Sequence, residues 1–94
     1  MTGGGRPRPR LTLLARAYCH LCDVMHDDLA PLAARYGAEV VVVDVDADAA
    51  LDEAYGERVP VLLLGVPPTG RELCHFRLDA GTVTEALASD TVFR

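Results

Sequence analysis

The residues best placed to do chemistry are Cys19 and Cys22, three apart in Tyr18-Cys19-His20-Leu21-Cys22. Two thiols at that spacing serve either as a dithiol/disulfide couple or as half of a metal site, and the flanking elements decide between them. A strand before the pair and a helix opening on it favour the redox use. At a helix start the first amides lack intrahelical partners and the macrodipole is positive, so a sulfur there is favoured as thiolate. Cys19 is therefore the expected nucleophile. Cys22, about one turn further and more enclosed, is the expected resolving thiol, close enough to attack a mixed disulfide and release the substrate. His20 adds positive charge beside the nucleophile when protonated. Leu21 offers apolar contact surface to a substrate.

Cys74, far along the chain, reads as a small buried hydrophobe that stays outside the couple. Metal binding is the main alternative from the residues alone. Cys19, Cys22 and His26 share a helical face, and Cys74-His75 could supply a further ligand. A second closely spaced ligand pair is missing, so no metal site is assigned. A non-catalytic binding module that keeps the fold and the cysteines is the other alternative, since fold does not fix function. Asp44 and Asp46 are explained by strand-end solvation and helix capping and receive no catalytic role.

The elements that must hold these residues follow from hydrophobic periodicity. Leu11 to Ala17 reads as a short buried strand. Leu21, Val24, Met25, Leu29, Leu32, Ala33 and Tyr36 then recur at helical steps, Gly37 is a natural stop, and Pro31 should bend that helix or remove a hydrogen bond. Glu39 to Val45 is a β-branched run that suits a parallel strand covered on both faces. Asp46 or Asp48 caps a short helix through Tyr55, and Pro60 opens another buried strand. Pro67 to Gly70 supply a turn into Arg71 to Leu78, where Glu72, Cys74, Phe76 and Leu78 should share a face. Asp79 caps a last helix carrying Val83, Ala86 and Leu87. The order β-α-β-α-β-β-α gives an α/β sandwich whose four-stranded mixed sheet combines a parallel pair with a late antiparallel hairpin.

The 94 residues fit one domain, 11–94, behind a Gly/Pro/Arg-rich stretch at 1–10 that reads as a disordered tail. That stretch has no apolar segment like a secretory signal core, and no apolar run is long enough to cross a bilayer. The odd cysteine count suits a reducing compartment, so a soluble cytoplasmic monomer is expected. A formal charge of -5 argues against sequence-independent nucleic-acid binding, which needs a basic surface.

With these residues in place, the chain resembles the thioredoxin superfamily. The resemblance rests on the strand, the Cys-x-x-Cys helix start, and Leu51 to Pro60, where Tyr55-Gly56 precedes Val59-Pro60. The short length and Cys-x-Leu-Cys are similar to a small bacterial glutaredoxin-like group. The resemblance implies a thioredoxin-like fold and a thiol-disulfide oxidoreductase. Its substrates would be protein disulfides or glutathione mixed disulfides, with no bound cofactor, glutathione as co-substrate, and glutathione or a reductase as electron donor. It also implies a cis Val59-Pro60 bond against the cysteines, with Val59 and Pro60 contacting substrate. Arg16 matches a basic position used toward the glutathione carboxylate, Arg58 is a second anion contact, and Tyr18 joins the substrate surface. Departures from the pattern are the enclosed His-Leu pair and the lack of a Gly-Gly-x-x-Asp segment after the last strand.

Overall fold

The computed structural model describes residues 8–92. The tail assigned to residues 1–10 lies outside them as far as residue 7. Arg8 already donates from Nε to the Gly37 carbonyl (3.0 Å), and the first strand begins at Arg10, just before the expected boundary.

The elements run β1 (Arg10–Ala15), α1 (His20–Tyr36), β2 (Glu39–Asp44), α2 (Ala49–Tyr55), β3 (Val61–Leu64), β4 (Arg71–His75) and α3 (Ala80–Val92), with 3-10 turns at Val45–Ala47 and Gly56–Arg58. One sheet has the order β2-β1-β3-β4. β1 pairs parallel to β2, which the α1 crossover makes possible, and antiparallel to β3; β3 and β4 form the antiparallel hairpin. The α/β thioredoxin-like sandwich expected from the sequence is the fold observed.

β1 is central and buries both faces, which is why its apolar residues are consecutive. Leu11 and Leu13 face a core completed by Met25, Leu29 and Ala33 of α1 and by Val83, Ala86 and Leu87 of α3. Leu14 faces the opposite way, into a smaller core with Val45, Val61 and Leu63 that Leu51 and Tyr55 of α2 help cover. Thr12, also buried, satisfies its hydroxyl by donating to the Gly65 carbonyl at 2.6 Å. The buried stripe of α1 is Cys22, Met25, Leu29 and Ala33, at steps of three and four, so the cysteine motif and the core share one helix face. Gly37 ends α1 in the left-handed region (φ 65°). Pro31 lies on the exposed side within the helix, where the carbonyl it leaves unpaired can meet water.

Two expectations are corrected. β2 is not covered on both faces: it is an edge strand, and Val42 is 53% exposed. Its apolar run has the composition of a strand covered on both faces, but among the described residues its one neighbour is β1 and its side chains stay half-buried or exposed. β4 does not run to Leu78 with Glu72, Cys74, Phe76 and Leu78 on one face. Leu62 pairs with Cys74 and Leu63 with Glu72, leaving Leu73 as the extra residue of a β-bulge. Leu73 is buried, Cys74 packs partly buried against the same core, and the strand stops at His75.

Candidate active site

Both cysteines are set by the junction of β1 and α1. Cys19 is the N-cap of α1 with extended backbone (φ −110°, ψ 105°), and its Sγ accepts the Cys22 amide at 3.1 Å. A sulfur thus occupies the place an Asp or Ser oxygen fills at other helix starts, on one of the donors the helix leaves unpaired. Cys19 and Cys22 are joined in a disulfide with Cα atoms 5.2 Å apart. Cys19 is half-buried, whereas Cys22 is 4% exposed, so the first sulfur meets solvent and the second is enclosed.

His20 is exposed beside Cys19, and Leu21 is half-buried. Tyr18 stands fully exposed with φ 59°. Val59-Pro60 is cis, as the resemblance implied, and so is Pro67-Pro68, which sequence reading did not single out. Val59 and Pro60 precede β3 and lie at the same end of the sheet as the disulfide, because β3 runs antiparallel to β1.

The two arginines expected to meet an anion are both engaged within the chain. Arg16 Nη2 lies 2.8 Å from Asp52 Oδ1 and 3.6 Å from Asp46 Oδ1, and donates to the Gly56 carbonyl at 3.3 Å. This ties the loop before Cys19 to α2. The Arg16 Nε is buried without a partner. Arg58 pairs with Glu72 (2.9 Å), lies over the Tyr55 ring at 5.7 Å, and shares Glu72 with His75 Nδ1 (3.0 Å).

Beneath the enclosed thiol is a cavity of about 310 Å³ lined by Leu13, Ala15, Arg16, Cys22, Asp23, His26, Val42 and Asp44. Arg16, Asp23, His26 and Asp44 are the ionisable side chains that share it with Cys22. His26 and Asp44 were given no redox role from the sequence; their approach to Cys22 combines the i, i+4 step on α1 with the parallel β1/β2 register, which sets Asp44 opposite Ala15. Phe76, just past β4, has a left-handed backbone (φ 64°) and is 45% exposed, a conformation with no signal in the local sequence pattern.

Among the described residues, no group of three or more His, Cys, Asp or Glu is arranged to hold a metal ion. Cys74 and His75 sit on β4, two strands over from β1, and do not complete a ligand set with Cys19, Cys22 and His26. No helix among the described residues is long and apolar enough to cross a membrane.

This sheet, with a cysteine pair at the start of the helix leaving its first strand, defines a thioredoxin-like protein with a dithiol site. The chain belongs to the family described as glutaredoxin-like domain (DUF836), whose model matches residues 10–88. An uncharacterized protein of Mycobacterium tuberculosis is 33% identical, the match covering 89% of this chain and 88% of that one. A solution structure of a protein from Nitrosomonas europaea superposes with TM-score 0.75 at 30% identity, over 88% of this chain and 95% of that one. An X-ray structure of a protein from X. campestris gives TM-score 0.62 at 46% identity, over 84% and 96%. A thioredoxin mutant from Halobacterium salinarum gives 0.63 at 28%, over 88% and 74%. The family, the fold and the cysteine pair together support a redox-type role.

Proposed function

We propose that the protein is a thiol-disulfide oxidoreductase that reduces disulfides of proteins, or their mixed disulfides with glutathione. The observation that carries the reading is the Cys19–Cys22 disulfide across the first turn of α1, with the Cys22 amide aimed at the more exposed sulfur. That amide and the positive helix end favour Cys19 as thiolate over thiol; a helix-end charge interaction of this kind contributes about 0.3–1 kcal/mol at a surface.

In the reduced protein the Cys19 thiolate attacks one sulfur of a substrate disulfide R–S–S–R′. The Cys19–S–R bond forms, the S–S bond of the substrate breaks, and R′–S⁻ leaves and takes up a proton. Cys22 then loses its proton and attacks Cys19 Sγ, closing the Cys19–Cys22 disulfide and releasing R–S⁻. Two electrons pass from the protein dithiol to the substrate, and an external thiol or dithiol donor restores the dithiol. Tyr18, His20, Leu21 and Val59 form the contact surface for the substrate, and Pro60, which is buried, supports Val59 from beneath. A glutathione carboxylate reaching Arg16 or Arg58 has to displace Asp52 or Glu72 from its solvent-accessible ion pair.

The test is oxidation of the fully reduced protein by a small symmetric disulfide, followed by alkylation and mass analysis. The expected product is a Cys19–Cys22 disulfide with Cys74 still alkylated, recovered by a dithiol reductant. A protein unchanged by the disulfide would leave a non-catalytic binding module, and stoichiometric zinc on the reduced protein would restore the metal reading.

A further inference from the structure

Among the described residues, two that are not glycine have a left-handed backbone: Tyr18 (φ 59°) and Phe76 (φ 64°). A Cβ is disfavoured there and a bulky one more so, and such outliers persist where the surroundings impose them, often at functional sites. Both residues are aromatic, and both are turned out: Tyr18 is fully exposed and Phe76 is 45% exposed.

Both also stand at the disulfide end of the sheet. Tyr18 immediately precedes Cys19. On the other side, His75 pairs with Val61, which pairs with Leu14, and the Phe76 amide donates to the Pro60 carbonyl at 2.9 Å. Phe76 therefore continues the row Ala15, Pro60 beyond the hairpin, about 10 Å across two strand spacings. Its ring lies edge-on to that of the neighbouring His75, also exposed, with centroids 4.9 Å apart. Leu21, in the first turn of α1, and Val59, beside Pro60, are half-buried at the same end.

The electrostatics of this rim point away from a small anion. Arg16 and Arg58 are held by Asp52 and Glu72, and Arg77, next to Phe76, lines an open cleft with Glu72 and Asp79. The chain as a whole carries a formal charge of -5. An anionic tripeptide such as glutathione meets acidic side chains beside each of these arginines, whereas exposed aromatic rings suit a large apolar side chain.

We infer that Tyr18 and Phe76 are specificity-determining residues that select a protein disulfide carrying a bulky apolar residue next to the reacting cysteine, in preference to glutathione disulfide. The inference rests on the oxidoreductase reading above and names its substrate class.

The reduced protein is mixed in single turnover with four probes: 2-hydroxyethyl disulfide, glutathione disulfide, and two disulfide-dimer peptides identical except for Phe or Gly after the cysteine. Closure of Cys19–Cys22 is followed by alkylation and mass. The Phe peptide should react about tenfold faster than the Gly peptide, the discrimination expected of an apolar contact, and faster than glutathione disulfide. In Phe76→Gly and Phe76→Asn, both compatible with the left-handed backbone, that ratio should fall toward one; Tyr18→Gly should lower it less. A ratio near one in the parent, a ratio that survives in both Phe76 variants, or glutathione disulfide reacting as fast as the Phe peptide would overturn the inference. If the parent reacts with none of the four probes, the oxidoreductase reading itself falls, and this inference with it.

Discussion

Cys19 and Cys74 offer the same functional group in opposite settings. Cys19 caps a 17-residue helix, keeps part of its sulfur in solvent and accepts a backbone amide the helix cannot otherwise use. Cys74 follows a bulge on β4 and is pressed against the main core beside Leu62 and Leu73. Burial pushes the Cys74 thiol above its ordinary range; the Asp79 amide pulls the other way, and the Asp79 and Glu72 carboxylates add to the rise. The difference teaches that reactivity here is assigned by backbone placement: one sulfur is offered donors that stabilise a negative charge, and the other is offered apolar walls and negative neighbours.

The largest effects that could break this comparison belong to the helix start. Cys22→Ser should accumulate mixed disulfides with substrate through Cys19, because the nucleophile remains and the releasing thiol is gone. Cys19→Ser should lose turnover and trap almost nothing. Equal trapping by the two variants, read on non-reducing gels and by mass, would deny Cys19 its privilege.

A smaller contrast is expected within the reduced parent protein. At neutral pH iodoacetamide should label Cys19 well before Cys74. Because the Cys74 value is raised, its thiolate accumulates only as pH climbs past the usual thiol range, so its labelling should keep accelerating there. Labelling of Cys74 as fast as Cys19 at neutral pH would erase the distinction drawn between them.

The smallest effect concerns the helix cap beside Cys74. Asp79 accepts the Thr82 amide at 3.1 Å, and the amide and hydroxyl of Thr82 hold its carboxyl below the ordinary value. A lowered folded value contributes stability above the unfolded carboxylate range that is lost as pH falls through the folded one. Asp79→Ala should therefore lower Tm modestly at neutral pH, and the gap to the parent should close in acid. A gap that persists unchanged at low pH would mean the carboxylate charge is not what Asp79 contributes.

What the sequence by itself determined is mostly local. The cysteine spacing, the apolar steps of α1, the Gly37 stop and the cap at Asp79 are decided within a few residues and found where the pattern placed them, and of the two caps offered for α2 the structure uses Asp48. The parallel pair and the late hairpin were reachable because a parallel pair needs a crossover and a hairpin needs a turn. What only the tertiary structure decided depends on partners far away in the chain. The run Glu39 to Val45 reads as covered on both faces, yet Val42 is 53% exposed, since coverage depends on what other elements pack over each face. Arg16 and Arg58 read as free anion contacts, yet they are held by carboxylates 36 and 14 residues away. Leu73 is buried and Phe76 turned outward because pairing with β3 slips by one residue at Leu62/Leu63, and a register shift of that kind is set between strands and has no signature within either one.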